Sequence, residues 1–429
     1  MLPGKAVRLN SVGDWLKWQE SLNPRGIELG LERCLPVARS LGLLPLPFPL
    51  VSVAGTNGKG SCVAMLEAVL SAGGYRVGAY TSPHLLRYNE TIRVAGKTVS
   101  DETLMEAFEV VAAARGEVKL TWFEFRTLAA VCILRRADPD IALLEVGLGG
   151  RLDAVNMFDA DLALIASIGI DHTDWLGTSR DQIGREKAGI SRRERPVVCA
   201  DPAPPQGFLN AVAQSGAYLY RTGTDYRFQR ADNAWRWLGP ESSHAGLPEP
   251  GIPGECQLSN AAAVLMALEL LRDRFPVDLS AIRDGLSRCR LSGRQEIVPG
   301  APEVLLDVAH NPQAAEALAT TLLRRPCAGQ TRAVFAMYTD KDIAGIAGAL
   351  SNPIHHWHVA PLSPPRGATA AQTAQALKAA AATASVSVHP DVGAALVSAR
   401  KNSTPQDRIV VFGSFETVRR AVELESSLA

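Results

Sequence analysis

The sequence predicts an α/β protein: a P-loop domain built on a doubly wound, mostly parallel sheet with a small β insertion, followed by a smaller Rossmann-like α/β domain. Three observations predict it. A short apolar strand around Val51 and Val53 enters the glycine-rich turn Gly55-Thr56-Asn57-Gly58-Lys59-Gly60, and a helical stripe of Val63, Leu66, Val69 and Leu70 follows. Further apolar strands at Arg76–Tyr80, Ile141–Val146, Leu162–Ile168 and Pro196–Cys199 alternate with longer helical segments, the pattern of a parallel sheet covered on both faces. After Ser292-Gly293-Arg294 the alternation starts again, with strands at Val304–Val308, Arg332–Met337, His356–Ala360 and Ile409–Phe412 and helices at Pro312–Arg324, Thr369–Ala382 and Phe415–Leu424.

Residues 11–44 carry a helical pattern of Trp15, Leu16 and Trp18, then Ile27, Leu29, Leu31 and Leu35, leading into the sheet. Between Tyr218 and Leu238 short alternating runs set Tyr226 and Phe228 opposite Trp235 and Trp237 across Ala231-Asp232-Asn233-Ala234. This reads as a hairpin packing its own aromatic face, not a base-stacking platform. Helices at about Leu258–Arg274 and Leu279–Cys289 precede the boundary, and the run Ala379–Ala384 reads as helix. The resulting division is residues 1–293, a linker at 294–300 around Pro299-Gly300, and residues 301–429.

Composition narrows the function. Across 429 residues, Lys+Arg and Asp+Glu balance at 44 each, so no bulk field recruits nucleic acid or an anionic membrane, and any anion is bound locally. The 7 cysteines are scattered without a Cys-x-x-Cys pair, which fits reduced thiols in a cytoplasmic protein and argues against zinc or a disulfide framework. Met1–Asn10 lacks an apolar targeting core, and the apolar stretch Leu41–Val53 is broken by Pro45, Pro47 and Pro49, so no membrane partner is expected.

The glycine-rich turn is a phosphate-binding loop. Glycines let backbone N–H groups crowd a polyanion, the following helix offers its positive end, and Lys59 adds a point charge toward the terminal phosphates. Ser61 is the expected N-cap. The spacing departs from the general pattern, because Gly60 separates Lys59 from Ser61.

Ligands of open parallel sheets bind where strands end, so polar strand exits are the residues to weigh. They are Thr81-Ser82-Pro83-His84, Glu145 with Gly147-Leu148-Gly149-Gly150-Arg151-Leu152-Asp153, Asp171-His172-Thr173-Asp174, and Asp307-Val308-Ala309-His310-Asn311-Pro312. Any one is usually a turn or cap; several beside a phosphate loop point to chemistry. Glu145, set in Ile-Ala-Leu-Leu-Glu-Val, is costly to bury unless a cation compensates it, and Mg²⁺ held for ATP is the natural cation. Helical spacing turns Lys187 toward Ile183 and Ile190. The plain alternative is a lysine snorkelling to solvent. An inward amine near a metal can instead react with CO₂ to give a carbamate.

These motifs, with Phe123-Glu124-Phe125, Arg185–Ile190 and Gly413-Ser414-Phe415, resemble the bacterial bifunctional dihydrofolate synthase/folylpolyglutamate synthase family of the Mur ligase superfamily over nearly the whole chain. The resemblance implies an ATP-dependent ligase that activates a carboxylate as an acyl phosphate and joins it to L-glutamate, acting on dihydropteroate and on reduced folates. It also implies a monomer. By position, Ser82, Glu145 and His172 match the family's Mg²⁺ ligands and Lys187 its carbamylated lysine. Asn57, Gly58, Lys59, Gly60 and Ser61 match its ATP loop, with Asn260, Arg294 and Asp307 as further nucleotide contacts. Glu28-Leu29-Gly30-Leu31, Phe123-Glu124-Phe125 and Leu152-Asp153-Ala154 match its pterin contacts, and His310 is placed near the acyl phosphate or the incoming glutamate.

Thr91 stands where the family commonly has arginine, Cys256 where it has histidine and Ser292 where it has proline. The rivals are a folylpolyglutamate synthase alone, a peptidoglycan-precursor Mur ligase, for which too little chain precedes the loop to form a UDP-sugar domain, and a nucleotide switch. The last would need an Asn-Lys-x-Asp motif that Thr339-Asp340-Lys341-Asp342 matches only superficially.

Overall fold

A computed structural model of the chain describes residues 9–23, 25–231, 234–380 and 384–428. The hairpin-turn residues Asp232 and Asn233, the end of the expected helix at Ala381 and Ala382, Thr383 of the alanine-rich run, and the first eight positions of the Met1–Asn10 stretch lie outside the described residues. The chain divides into two compact units. One comprises Met1–Gly169, Asp174–Gly251 and Leu258–Cys289; the other comprises Ile170–Thr173, Ile252–Gln257 and Arg290–Ala429.

The first unit is built on an 8-stranded sheet of β1 (Leu50–Ala54), β2 (Val77–Tyr80), β3 (Ile92–Val94), β4 (Lys97–Thr98), β5 (Ile141–Glu145), β6 (Leu162–Ile165), β7 (Pro196–Cys199) and β8 (Tyr218–Arg221). The spatial order is β4-β3-β2-β5-β1-β6-β7-β8, with only the β3 and β4 pairings antiparallel. β1 therefore sits where the strand order reverses, the place at which such sheets bind ligands. It pairs with β5 so that Val53 lies opposite Glu145, which brings the carboxylate to the strand end that feeds the glycine turn.

Local signals set the helices. Ser100 caps Asp101–Arg115, and Thr121 with Glu124 forms a capping box on Trp122–Ala137. The Lys59–Ala72 helix is buried along most of its length, because helix Leu279–Arg288 covers the face turned away from the sheet. At that crossing a Cβ on Gly285 would stand 2.5 Å from Val69 Cα. The pattern over residues 11–44 resolves into two helices, Val12–Leu22 and Cys34–Ser40. The stretch between them is not helical, since Gly26 and Gly30 take positive φ values that break the repeat, and Glu28–Leu31 runs as a loop.

The aromatic insertion is a three-stranded antiparallel sheet: β9 (Arg227–Ala231), β10 (Ala234–Leu238) and an unforeseen β11 (Ser243–Leu247). Phe228 pairs with Trp237 in register, but Trp237 also donates its indole N–H to Ala262 O at 3.0 Å and so anchors the insertion to the Cys256–Leu271 helix. Tyr226 points elsewhere, donating its hydroxyl to Cys199 O at 2.8 Å.

The second unit has a 6-stranded sheet in the order β12-β13-β17-β14-β15-β16, comprising β12 (Glu296–Val298), β13 (Glu303–Leu306), β14 (Thr331–Phe335), β15 (His356–Val359), β16 (Ser385–Val388) and β17 (Arg408–Phe412). All pairings are parallel except β12 with β13. β12 falls in the stretch read as linker; at three residues it is too short to register as a periodic pattern. Phe335, Trp357, Val410 and Phe412 are buried at the centre of this unit. Helices Ile343–Leu350 and Val392–Lys401 also escaped the sequence, the former because Gly345 and Gly348 dilute its helical signal. Among the described residues no helix is long and apolar enough to cross a membrane.

Candidate active site

The phosphate loop is shaped by backbone constraints. Gly58 has a left-handed φ of 85° and is itself the N-cap of the Lys59–Ala72 helix, with no side-chain cap bond. This corrects the expectation that Ser61 caps the helix: Ser61 lies inside the first turn and is buried. The difference matters chemically, because a hydroxyl cap would occupy the N–H groups that the glycine cap leaves for an anion. A Cβ at Gly58 would stand 2.8 Å from Asn260 Oδ1, and one at Gly55 would meet Ala166 Cβ at 3.0 Å and Ser167 N at 3.1 Å. Thr56 N donates to Ser167 O at 2.8 Å and Asn57 N to Ser167 Oγ at 2.9 Å, so the β6 exit braces the loop. Lys59 Nζ donates to Gly55 O at 3.0 Å and Thr56 O at 3.2 Å, which puts the ammonium over the turn.

Next to this loop, the exits of β2 and β5 meet. Glu145 is 4% exposed, and its Oε2 accepts from Ser82 N at 3.2 Å. The chain beyond Glu145 folds onto the end of the Arg180–Ala188 helix: a Cβ at Gly150 would lie 2.4 Å from Glu186 O and 2.9 Å from Lys187 Cα, and Arg151 N donates to Glu186 O at 2.8 Å. Lys187, in the last turn of that helix, is 3% exposed, the inward orientation its spacing predicted. Asp153 ties the loop together, accepting from Leu148 N at 2.8 Å and Val155 N at 2.9 Å. Burial pushes the Asp153 carboxyl up to about 7, against those N–H groups and the charge of Lys59.

The residues matched to a pterin site fall into two groups. Phe123 lies against Gly147, with Tyr80 at 6.4 Å between ring centroids, and Gly30 N donates to Leu152 O at 3.2 Å, so Leu29–Leu31, Phe123, Leu152 and Asp153 gather about the β5 exit. Glu124, Phe125 and Ala154 are interior, and Asp153 of the first group is equally buried. Phe125 packs with Trp18 at 5.7 Å and Phe108 at 6.0 Å, while Glu124 closes its capping box and pairs with Arg33 at 2.9 Å. Arg33 also pairs with Glu28 at 3.1 Å, stapling the Glu28–Leu31 loop to the Trp122–Ala137 helix.

In the second unit the Ile170–Thr173 segment is held by its acid. Asp171 receives Lys341 Nζ at 2.6 Å, Asn311 Nδ2 at 3.1 Å and the backbone N–H of His172 at 2.8 Å, and faces His310 Nε2 at 3.3 Å. Burial opposes ionisation of Asp171, but the hydrogen bond from His310 and the charges of His172, Lys341 and His310 outweigh it and hold the carboxyl well below the usual range. His172 has a φ of 52°, a left-handed conformation uncommon outside glycine and seen where a turn is over-determined. The other ring nitrogen of His310, Nδ1, donates to Val308 O at 2.9 Å. Asp307 accepts from Ala309 N at 2.6 Å and Gln295 N at 3.1 Å; burial raises its carboxyl, opposed by Arg294, whose guanidinium lies 5.3 Å over the Phe415 ring.

Residues 293–415 match the Mur ligase, glutamate ligase domain family. Over 414 residues, 96% of this chain and 95% of the relative, the sequence is 42% identical to the dihydrofolate synthase/folylpolyglutamate synthase of Escherichia coli strain K12. The chain belongs to the dihydrofolate synthase/folylpolyglutamate synthase family. Two solved members agree in fold. E. coli FolC in complex with DHPP and ADP matches with a TM-score of 0.93 at 41% identity, covering 98% of both chains. A bifunctional folylpolyglutamate synthase/dihydrofolate synthase with Mn, AMPPNP and L-glutamate bound matches with a TM-score of 0.91 at 42% identity, covering 98% of this chain and 100% of that one.

The family site fits a divalent cation. Glu145 is a buried carboxylate at a strand exit, beside a hydroxyl residue whose backbone it already binds, and hard oxygen donors of this kind suit Mg²⁺. Among the described residues no three His, Cys, Asp or Glu side chains form a metal-holding group by themselves. Three residues of this family member escaped the sequence reading. Lys341 lies in the run set aside as a guanine-motif look-alike, and its position just past β14 was the available signal. Arg33 and Arg93 carried none, because their partners Glu124 and Glu67 are remote in sequence.

Proposed function

We propose that the chain is an ATP-dependent amide ligase that joins L-glutamate to dihydropteroate, giving dihydrofolate, and to the γ-carboxyl of reduced folates, giving folylpolyglutamates. The observation that carries this reading is the 42% identity to a dihydrofolate synthase/folylpolyglutamate synthase over 96% of the chain, in a chain whose glycine-rich turn and Ser82–Glu145 contact stand at neighbouring strand exits. A substrate carboxylate oxygen attacks the γ-phosphorus of ATP, and the bond from that phosphorus to the ADP oxygen breaks, leaving an acyl phosphate. The neutral amine of glutamate attacks the acyl carbon, the C–O bond to phosphate breaks, and the nitrogen releases a proton as the amide forms.

Each assigned residue has a physical task. The N–H groups of Gly58, Gly60 and Ser61 cradle the phosphates, Asn57, whose N–H is held by Ser167 Oγ, fixes the turn beside them, and Lys59 follows the migrating phosphoryl charge. Asn260, Arg294 and Asp307 contact the nucleotide. Mg²⁺, when bound, neutralises charge on the phosphoryl oxygens; Ser82, Glu145, His172 and Lys187 in its carbamate form would hold it. His310, tied at both ring nitrogens, keeps the Asp171–His172 turn in place. Leu29, Gly30, Leu31, Phe123, Leu152 and Asp153 receive the pterin, on a wall shaped by Glu28, Glu124, Phe125 and Ala154. In this reading residues 1–293 bind ATP and pterin, 294–300 link, and 301–429 form the ligase domain of a cytoplasmic monomer, for which sedimentation in solution is the check. The function itself is tested by phosphate release with ATP, Mg²⁺ and L-glutamate while dihydropteroate, a reduced folate and a UDP-sugar peptide are offered separately. Turnover with both pterins and none with the sugar peptide is expected; turnover with the sugar peptide alone would overturn the assignment.

A further inference from the structure

We propose that Arg93 is a positioning residue for the divalent-cation site, clamped by Glu67 of the phosphate-loop helix so that it fixes the Thr81–Ser82 turn against Glu145. The inference rests on the assignment of Ser82 and Glu145 made above.

Arg93 lies in β3, the antiparallel neighbour of β2, opposite Ala79. The pairing continues past the end of β2, where Thr81 N donates to Thr91 O at 2.8 Å. Both Nε and Nη2 of Arg93 lie 2.8 Å from Glu67 Oε2. Its Nη1 donates to Thr81 Oγ1 at 3.1 Å and to Glu90 O at 2.8 Å. Ser82, the next residue, donates its backbone N–H to Glu145 Oε2 at 3.2 Å. A continuous set of contacts thus runs from the helix that opens at Lys59, through Glu67, Arg93, Thr81 and Ser82, to the carboxylate at the end of β5.

Stability alone does not account for this arrangement. The Glu67 side chain is 10% exposed and that of Arg93 19%, and Glu67 Oε1 is buried without a hydrogen-bond partner. A pair so desolvated recovers little net energy, and apolar residues of the same volume would pack as well. What the pair supplies is direction: a planar fork whose one side is fixed by a carboxylate presents its other side at a set angle. Here that side meets the residue preceding Ser82. Thr91 beside the same strand end is buried, donates its hydroxyl to Tyr88 O at 2.7 Å and brings no charge, whereas Arg93 presents its guanidinium to this turn. Groups that orient metal ligands from behind commonly contribute about 10- to 100-fold in metal affinity.

The test is Mn²⁺ binding, followed by electron paramagnetic resonance on the full chain saturated with AMPPNP, together with AMPPNP affinity without metal and thermal unfolding. Arg93→Met, Thr81→Val, their double variant, Arg93→Lys and Ser82→Ala are compared. The expected result is a loss of about 10-fold or more in Mn²⁺ affinity for Arg93→Met, a similar loss for Arg93→Lys, which keeps the charge on Glu67 but lacks the fork, and near-unchanged metal-free AMPPNP affinity. Thr81→Val should weaken Mn²⁺ in the same direction, and the double variant should be no weaker than Arg93→Met alone. Wild-type Mn²⁺ affinity in Arg93→Met beside a weakened Ser82→Ala would overturn the inference, whatever the melting temperature. Wild-type affinity in Ser82→Ala would overturn the ligand assignment and the inference with it. If Arg93→Met does not fold, Arg93→Lys and Thr81→Val decide the question on the same readout.

Discussion

The ring of Phe123 rests on the backbone of Gly147 so closely that a Cβ there would stand 2.4 Å from Phe123 Cζ. Glycine at 147 is thus a condition for the position of the ring. Gly147→Ala should displace Phe123 and lower kcat/KM for dihydropteroate on the order of 10-fold or more, since small misplacements of a substrate-orienting group are costly. Extension of reduced folate should suffer less. Steady-state kinetics with both substrates checks this, and equal losses would contradict a pterin role for Phe123.

Lys59→Ala should leave the fold nearly intact, since its helix is secured by buried apolar residues. Turnover should fall by at least about 100-fold, because the charge following the phosphoryl group is gone. Ligation rates at saturating ATP, with an unfolding curve on the same sample, test both halves.

Lys187 should carry a carbamate. The amine attacks CO₂ only when neutral, so the modification should grow with bicarbonate and alkaline pH and reverse in acid. Lys187→Ala should be inactive and regain part of its rate with short carboxylic acids, which can occupy the vacated space. Intact-protein mass spectrometry loses such a label, so ¹³C NMR after ¹³CO₂ exchange is the direct measurement. An active enzyme with no carbamate signal would contradict the assignment.

Acid should weaken the second unit through its histidines. His358 is 1% exposed, hydrogen-bonds through Nδ1 to His389 Nε2 at 3.1 Å, lies 4.4 Å from the His356 ring, and has a buried Nε2 with no hydrogen-bond partner. Burial pushes His358 down to about 3, and lowers His356 and His389 as well. The folded state therefore binds fewer protons than the unfolded chain, whose histidine titrates near 6.5. The stability tied to neutral His358 is complete above that value and is lost as pH falls toward 3. Denaturant midpoints should drop between pH 7 and 4.5, and His358→Leu should reduce the drop; an unchanged slope would rule out His358 as its source.

Legibility followed the range of the signals. Strands such as Pro196–Cys199 and helices such as Pro312–Arg324 were readable because apolar runs and caps are local. The phosphate loop was readable because glycines and a lysine must be contiguous to surround an anion, yet its cap was misplaced: only the left-handed φ of Gly58 shows where the helix begins. The inward orientation of Lys187 was legible through helical spacing. The Arg33–Glu124, Arg93–Glu67 and Lys341–Asp171 pairs join residues far apart in the chain, and nothing in either local sequence names the partner. Likewise, Phe123 and Phe125 read alike as sequence, and only packing sends Phe125 into the core while Phe123 stays at the β5 exit.

The central claim is that one chain performs two ligations with one set of reacting groups, so the direct measurement is product analysis with purified protein. Supplied with ATP, Mg²⁺, L-glutamate and dihydropteroate, it should form dihydrofolate with one phosphate released per amide. Supplied with a reduced folate instead, it should add glutamate to the γ-carboxyl, and Lys59→Ala and Glu145→Gln should each abolish both products. Extension of reduced folate with no dihydrofolate formed from dihydropteroate would contradict the claim.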